Sequence, residues 1–391
     1  MFVMHELAFI STFPPRKCGI ATFTADVVKY IEKAGQWKCR VVAIDDGIEH
    51  YAYGDQVWFR INQFNKRDYI KAARHINNSS IDAVMIEHEY GIFGGSDGQY
   101  ILELTRLLNK PFALTCHTVL SSPTTSQRSI LKHLCRQAAA VVVMTERAGN
   151  ILSSVYDVDS EKIKVIPHGI PVFRTVMAED IKKKYKVGGR RVVSTFGLVG
   201  PGKGLEYAIR AMHIVANRFP DAVYLVMGQT HPVLKRKSGE TYRESLIELV
   251  QNLSLNKHVR FVNHFLSLRE LSDYLAATDV YITPYPGKEQ AVSGTLSYAL
   301  GAGKAIVSTP YAYAVDLLAD NRGILVPFND VRAMANAICK LLADDALRHR
   351  LERRAMIYGE HMQWPTVGRN YSELMSYIAS FDNINILDKE A

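Results

Sequence analysis

Two stretches in the second half of this chain pair a positive charge or a carboxylate with a helix start. In STFGLVGPGKGLEYAI (194–209) an apolar run gives way to Gly200, Gly202 and Gly204, with Lys203 among them, and then to a helical pattern. Glycines without side chains let a backbone approach a ligand closely. A lysine beside a helix start suits a phosphate. The spacing is not that of a P-loop, because Leu205 follows the Lys-Gly pair where Ser or Thr would be needed. In YITPYPGKEQAVSGTLSYALGAGKAIVSTP (281–310) Ser293 reads as a helix cap, leaving the amides of Gly294 and Thr295 at a positive terminus. Glu289, a few residues earlier, is a carboxylate able to accept hydrogen bonds from sugar hydroxyls. The chemistry expected is the holding of a sugar next to a phosphate leaving group. The plainer alternatives are a tight turn with an exposed lysine and a solvated loop acid.

Three stretches in the first half are candidates for the other side of such a site. STFPPRKCGIATF (11–23) holds two prolines that stiffen a loop, the cations Arg16 and Lys17, and Gly19 ahead of a helix near Ile20. EHEYGIFGGSDG (87–98) holds His88, Glu89, Gly94 and Gly95, and CHTVLSS (116–122) holds His117. Two histidines at strand ends raise the question of a metal, but no third ligand stands at a suitable spacing, so no metal site is expected.

The elements that would position these residues alternate along the whole chain. Strand-like runs lie at 7–11, 39–44, 83–88, 112–117, 140–145 and 162–168, and again at 191–197, 222–228, 259–263, 279–284, 305–309 and 323–327. Such near-continuous apolar runs suit strands covered on both faces, as in a parallel sheet. Helical patterns such as ATFTADVVKYIEKAG and LEYAIRAMHIVANRF intervene. The character changes around AEDIKKKYKVGGRR, which implies two doubly wound α/β domains. The boundary is expected near residues 170–188, with a cleft between two facing domains as the site.

Composition sets the remaining limits. Hydrophobic residues at 48% and charged residues at 22% describe an ordinary globular chain with two cores to bury. No apolar run is long enough for a transmembrane helix, and MFVMHELAFIS lacks the order of a signal peptide. Five scattered cysteines, Cys18, Cys39, Cys116, Cys135 and Cys339, form neither a zinc pattern nor a disulfide framework, which points to the cytoplasm. The net charge of +8 is concentrated at 182–191, 234–237 and 348–354. These clusters read either as solvated faces or as attraction to an anionic ligand or the inner face of a membrane; no nucleic-acid motif accompanies them.

The same motifs, in order, resemble the retaining glycosyltransferases of family 4, which have the GT-B fold. FPPRKCGIATF, HEYGIFGG, VIPHGI, FGLVGPGKG, PYPGKEQAVSGTLSYALGAGKAIVSTP and WPTVGRNYSELM carry the resemblance over nearly the whole length. HEYGIFGG and SGTLSYALGAGKA are similar to a bacterial subgroup of that family. The resemblance implies a Rossmann-like acceptor-side domain over 1–175, a Rossmann-like donor-nucleotide domain over 188–363, and a terminal helix, 364–380, packed back on the first domain. Trp364 and Tyr371 are expected there as packing anchors.

The resemblance also implies roles. Gly19 matches the loop facing donor and acceptor, His117 the contact to the transferred sugar, Lys203 the surviving half of a basic pair on the donor phosphates, and Glu289 the carboxylate on donor-sugar hydroxyls. Gly200, Gly202, Ser293, Gly294, Thr295 and Ser297 are the remaining donor-side candidates; Arg16, Lys17, His88, Glu89 and Gly94 are those of the acceptor side. The family's arginine position falls on Leu198 and its second glutamate, usually on the ribose, on Ser297. Arg16 or Lys17 would have to replace the lost charge.

The activity implied is metal-independent, retaining transfer of a hexose from a nucleotide-diphosphate sugar, GDP-mannose first and UDP-glucose second. The acceptor would be a glycan, a lipid-linked sugar or a small molecule, with no further cofactor. Two alternatives stay open: a phosphorylase-like enzyme using a sugar 1-phosphate, and a GT-B protein that binds glycans without turnover.

Overall fold

The computed structural model describes residues 4–47, 50–174, 176–289 and 292–387. The chain divides into two compact units, Met1–Gly169 with Trp364–Ala391, and Ile170–Gln363.

The first unit is built on seven parallel strands: β1 (His5–Ser11), β2 (Trp37–Asp45), β3 (Val57–Asn62), β4 (Ala83–His88), β5 (Phe112–Cys116), β6 (Ala140–Val143) and β7 (Ile163–Val165). Their order is β3-β2-β1-β4-β5-β6-β7. In register, Phe9 of β1 lies opposite Val41 of β2 on one side and Met85 of β4 on the other. β4, β5 and β6 are buried at every residue, which is why they read as unbroken apolar runs. Ile10, Val42, Ile86, Leu114 and Val141 are fully buried in the core, and each such side chain contributes about 1.5–3 kcal/mol of transfer energy. The strand β3 departs from the sequence expectation. VWFRIN is a half-exposed edge strand with a register shift at Val41/Val42, so it presents no apolar run.

The helix Trp364–Leu387 belongs to this unit. Trp364 and Tyr371 are buried, Trp364 stacks on Tyr30 at 6.1 Å, and the Trp37 indole donates to the Ser372 carbonyl at 3.2 Å. Gly368 allows this close seating, because a Cβ there would stand 2.6–2.8 Å from Tyr30.

The second unit repeats the plan with six parallel strands: β8 (Arg191–Phe196), β9 (Ala222–Met227), β10 (Val259–Val262), β11 (Val280–Thr283), β12 (Ala305–Ser308) and β13 (Ile324–Leu325). The order is β10-β9-β8-β11-β12-β13. Val193, Tyr224, Ile282 and Val307 form its centre with Leu205, Ile209 and Ile338 from flanking helices. In each sheet the chain order reverses once, between β1 and β4 and between β8 and β11. An open parallel sheet takes its ligand beyond the carboxyl ends of the strands at such a reversal.

Several cations of the basic clusters are paired within the second unit. Lys182 bonds Asp279 at 2.8 Å, Lys184 bonds Asp273 at 2.6 Å, Lys235 lies 3.2 Å from Glu240, and Arg191 pairs with Asp221. All five cysteines are free, and among the described residues no helix is long and apolar enough to cross a membrane.

Candidate functional site

In the second unit the loops after β8 and β11 meet at the reversal of strand order. A short turn, Pro201–Lys203, precedes the helix Leu205–Arg218, and Gly204 joins them at φ 59°. A Cβ on Gly204 would stand 2.1 Å from the Pro284 carbonyl oxygen, just past β11, so glycine alone lets these two backbones touch. Lys203 spans the same junction. Its Nζ donates to the Tyr285 hydroxyl at 2.8 Å and lies 4.2 Å from the ring centroid.

Tyr285 is fully buried, with its hydroxyl 3.0 Å from Thr295 Oγ1, which lies 3.2 Å from Ser293 Oγ. Ser293 caps the helix Gly294–Gly301, accepting from the Leu296 amide at 3.3 Å. One ammonium, three hydroxyls and a helix start therefore share one patch. Burial would raise the Tyr285 phenol; the Lys203 charge and hydrogen bonds from Lys203, Thr295 and Ser293 outweigh it and hold the group below its ordinary range. Such a patch is suited to an anion bearing several oxygens.

The other donor-side candidates divide. Gly202 opens onto free space, whereas Gly200 is a packing glycine whose Cβ would meet Leu234 at 2.7 Å. Glu289 is exposed in the turn before the capped helix. Ser297 points inward. Fully buried, it donates to the Ser293 carbonyl at 3.1 Å and shares a 2.7 Å bond with the Tyr313 hydroxyl. A helix needs a small group at that position against Tyr313, so Ser297 braces the fold rather than facing a ribose. Leu198 is half-buried.

In the first unit the candidates sit after β1, β4 and β5. Cys18 caps the helix Gly19–Lys33, and space above Gly19 is open. Arg16 is committed to the interior of its own unit: it donates to the Ile44 carbonyl at 2.9 Å and to Gln63 at 3.4 Å, which corrects the expectation that it replaces the missing phosphate charge. Lys17 is exposed. His117, just past β5, is 4% exposed; its Nε2 lies 2.8 Å from Glu87 Oε2 and its ring edge-on to Phe23 at 4.8 Å.

His88 is completely buried against Tyr90 and Phe93, and neither ring nitrogen has a partner among the described residues. Burial, then the neighbouring His117, lowers it to about 3, so it is a neutral wall rather than an exposed ligand contact. His168, whose Nδ1–H donates to the Gly169 carbonyl at 2.8 Å, is lowered by burial to about 4. Glu89 accepts from the Thr118 hydroxyl. Gly94 is a packing residue, since a Cβ would stand 1.8 Å from the Gln63 carbonyl. Among the described residues no group of three or more His, Cys, Asp or Glu is placed to hold a metal ion.

Sequence reasoning missed two residues. Tyr285 stands between two prolines directly after an apolar strand, and Glu87 is an acid closing the apolar run AVMI. An ionisable or hydroxyl group in such a place is the available signal, because burying it is costly unless it is paired.

Two family models match this chain in succession: Glycosyltransferase Family 4 over residues 18–174 and Glycosyl transferases group 1 over 176–356. The chain belongs to the GT-B glycosyltransferases. Among solved structures, this glycosyltransferase is similar to HepE of Anabaena in complex with UDP and glucose, with a TM-score of 0.75 at 15% identity over 95% of this chain and 100% of that one. Sucrose-phosphate synthase of Thermosynechococcus elongatus gives a TM-score of 0.77 at 18% identity over 96% and 99%. Among curated relatives, it is 26% identical to a GDP-mannose-dependent alpha-(1-6)-phosphatidylinositol monomannoside mannosyltransferase of Mycolicibacterium smegmatis. That match covers 64% of this chain and 65% of the relative, just under two thirds of its length.

Proposed function

We propose that this glycosyltransferase moves a hexose, mannose or glucose, from a nucleotide-diphosphate sugar to a glycan, lipid-linked or small-molecule acceptor, with retention at the anomeric carbon. The single observation carrying this reading is the patch of Lys203, Tyr285, Thr295 and Ser293 at the start of the helix Gly294–Gly301. Phosphoryl oxygens held there gain negative charge as the glycosidic bond breaks. The lysine, the hydroxyls and the helix terminus already face that charge, so little reorganisation is needed when it develops. The reading assigns this role to protein groups and not to a metal. Glu289 in the second unit and His117 in the first are assigned to sugar hydroxyls, as the family resemblance implies. GDP-mannose ranks first because the mycobacterial relative is named as GDP-mannose-dependent, and UDP-glucose second because HepE is described with UDP and glucose. A phosphatidylinositol-linked acceptor in that relative's name also supports an acceptor at the inner membrane face, which the chain would meet peripherally.

The inward-facing Ser297 favours a second reading, a sugar 1-phosphate enzyme, because it leaves no hydroxyl at the family's ribose position. Calorimetry with GDP, UDP, ADP and inorganic phosphate separates the two. Tight GDP or UDP binding supports the first reading, and phosphate binding alone the second. A donor screen by mass spectrometry then identifies the sugar from the nucleotide released. A chain that binds sugar but releases nucleotide from no donor would refute both.

A further inference from the structure

One acid in the first unit has no part in the reading above. Glu87, the penultimate residue of β4, has no solvent exposure. Its Oε2 lies 2.8 Å from His117 Nε2, and its Oε1 has no hydrogen-bond partner among the described residues. A carboxylate buried this completely and half unpaired is costly to desolvate, more so than an amide or an apolar side chain at the same place. Packing therefore gives no reason for it. The imidazole does.

We infer that Glu87 is the positioning residue of the sugar-contacting histidine: it holds the Nε2–H of His117 and so presents Nδ1 to the ligand. An ionised carboxylate only accepts hydrogen bonds, so the pairing fixes the ring proton on Nε2. Among the described residues His117 Nδ1 has no hydrogen-bond partner, and it is not one of the buried unpartnered atoms. It is the nitrogen left to accept from a hydroxyl when the ring is neutral, or to donate to an anionic oxygen when the ring is charged.

Other groups around the ring do not supply this. On the same strand His88 is held neutral by burial, and His168, after β7, likewise. Cys116, beside His117, and Tyr371, from the terminal helix, are both held protonated by their surroundings, for Tyr371 chiefly burial and for Cys116 its bond to Cys135 and burial. Phe23 supplies only an edge-on face, and Glu89 is turned to Thr118. The pair also explains the backbone: the His117 amide donates to the His88 carbonyl at 3.0 Å, which sets the ring over Glu87.

This deepens the assignment of His117 to a sugar hydroxyl and rests on it for the kinetic arm of the test alone. The experiment is imidazole nitrogen NMR of the full chain with labelled histidine, His117 being assigned by its loss in His117→Gln. Glu87→Gln keeps the shape and an acceptor oxygen but removes the charge; Glu87→Asp keeps the charge. Retained tryptophan emission shows that each variant is folded, because Trp37, Trp58 and Trp364 all lie in this unit.

In the wild type the Nε2–H form is expected. Glu87→Gln is expected to release that preference, so that the Nδ1–H form of His117 appears in the nitrogen spectrum. It should lower nucleotide release from GDP-mannose or UDP-glucose by about 10- to 100-fold, with KM changed far less than kcat, and Glu87→Asp should restore part of both. An identical His117 tautomer in wild type and Glu87→Gln overturns the pairing. A changed tautomer with unchanged turnover overturns the positioning role. If the wild type releases nucleotide from no donor, the glycosyl-transfer reading fails, and the NMR arm still decides whether Glu87 sets the ring.

Discussion

Replacing Lys203 by alanine is the most direct perturbation of the donor patch. The ammonium is held in place before any ligand arrives, bonded to Tyr285 at 2.8 Å and lying over its ring at 4.2 Å. A unit charge about 4 Å from a phosphoryl oxygen at an effective dielectric of roughly 20 is worth about 4 kcal/mol. Lys203 is half-buried, so water screens part of this, and about 3 kcal/mol remains for the step in which charge develops. At 1.36 kcal/mol per tenfold, Lys203→Ala should lower kcat/KM by about 100-fold or more. Tyr285→Phe is the graded companion. It keeps the ring over the ammonium and removes the hydroxyl's bonds to Lys203 and Thr295, for a loss of about five- to tenfold. The assay is nucleotide release from the preferred donor, with calorimetry of the free nucleoside diphosphate alongside. Turnover within about twofold of wild type in Lys203→Ala, with unaltered nucleotide affinity, would remove the lysine from the mechanism and the electrostatic argument with it.

Three further outcomes are expected. Glu289→Ala should erode discrimination among donor sugars more than it weakens nucleoside diphosphate binding; a competition assay that finds the sugar preference intact contradicts its assigned role. Gly204→Ala combines a left-handed backbone with a Cβ 2.1 Å from the Pro284 carbonyl, and should destabilise the second unit by about 2–4 kcal/mol in urea unfolding followed by calorimetry or circular dichroism; a loss below about 0.5 kcal/mol would mean that the two loops are not in contact. His88 and His168 are held neutral in the folded first unit down to about 3 and about 4, while the unfolded chain protonates them near 6.5. Unfolding is therefore favoured as pH falls from about 6.5 towards 4, and this unit should lose stability over that window and regain it above. His88→Leu should flatten the slope by about one proton, read by tryptophan emission in urea titrations between pH 7 and 4.5; an unchanged slope would show that His88 is accessible to protons when folded.

Much of the fold was written locally. The apolar runs of β1, β4, β5, β8, β9 and β11 are legible because a strand covered on both faces has no polar side to interrupt it. Ser293 as a cap and the glycine-lysine turn are legible because capping and left-handed backbone depend on a residue and its near neighbours. β3 was not legible, since an edge strand needs little apolar surface and its partner supplies the hydrogen bonds.

What the tertiary structure alone decided is which of these pieces meet. Lys203 and Tyr285 are 82 residues apart, and Glu87 and His117 are 30 apart, so no local preference records either pair. Strand order brings each pair to the carboxyl ends of two neighbouring strands, where burial makes an unpaired charge or hydroxyl costly and so selects its partner. The same burial turned Ser297 towards Tyr313, Arg16 towards Ile44 and Gly94 against Gln63. Residue type named the chemistry these positions could perform, but direction is set by packing, and a linear sequence carries direction only through the contacts it eventually makes.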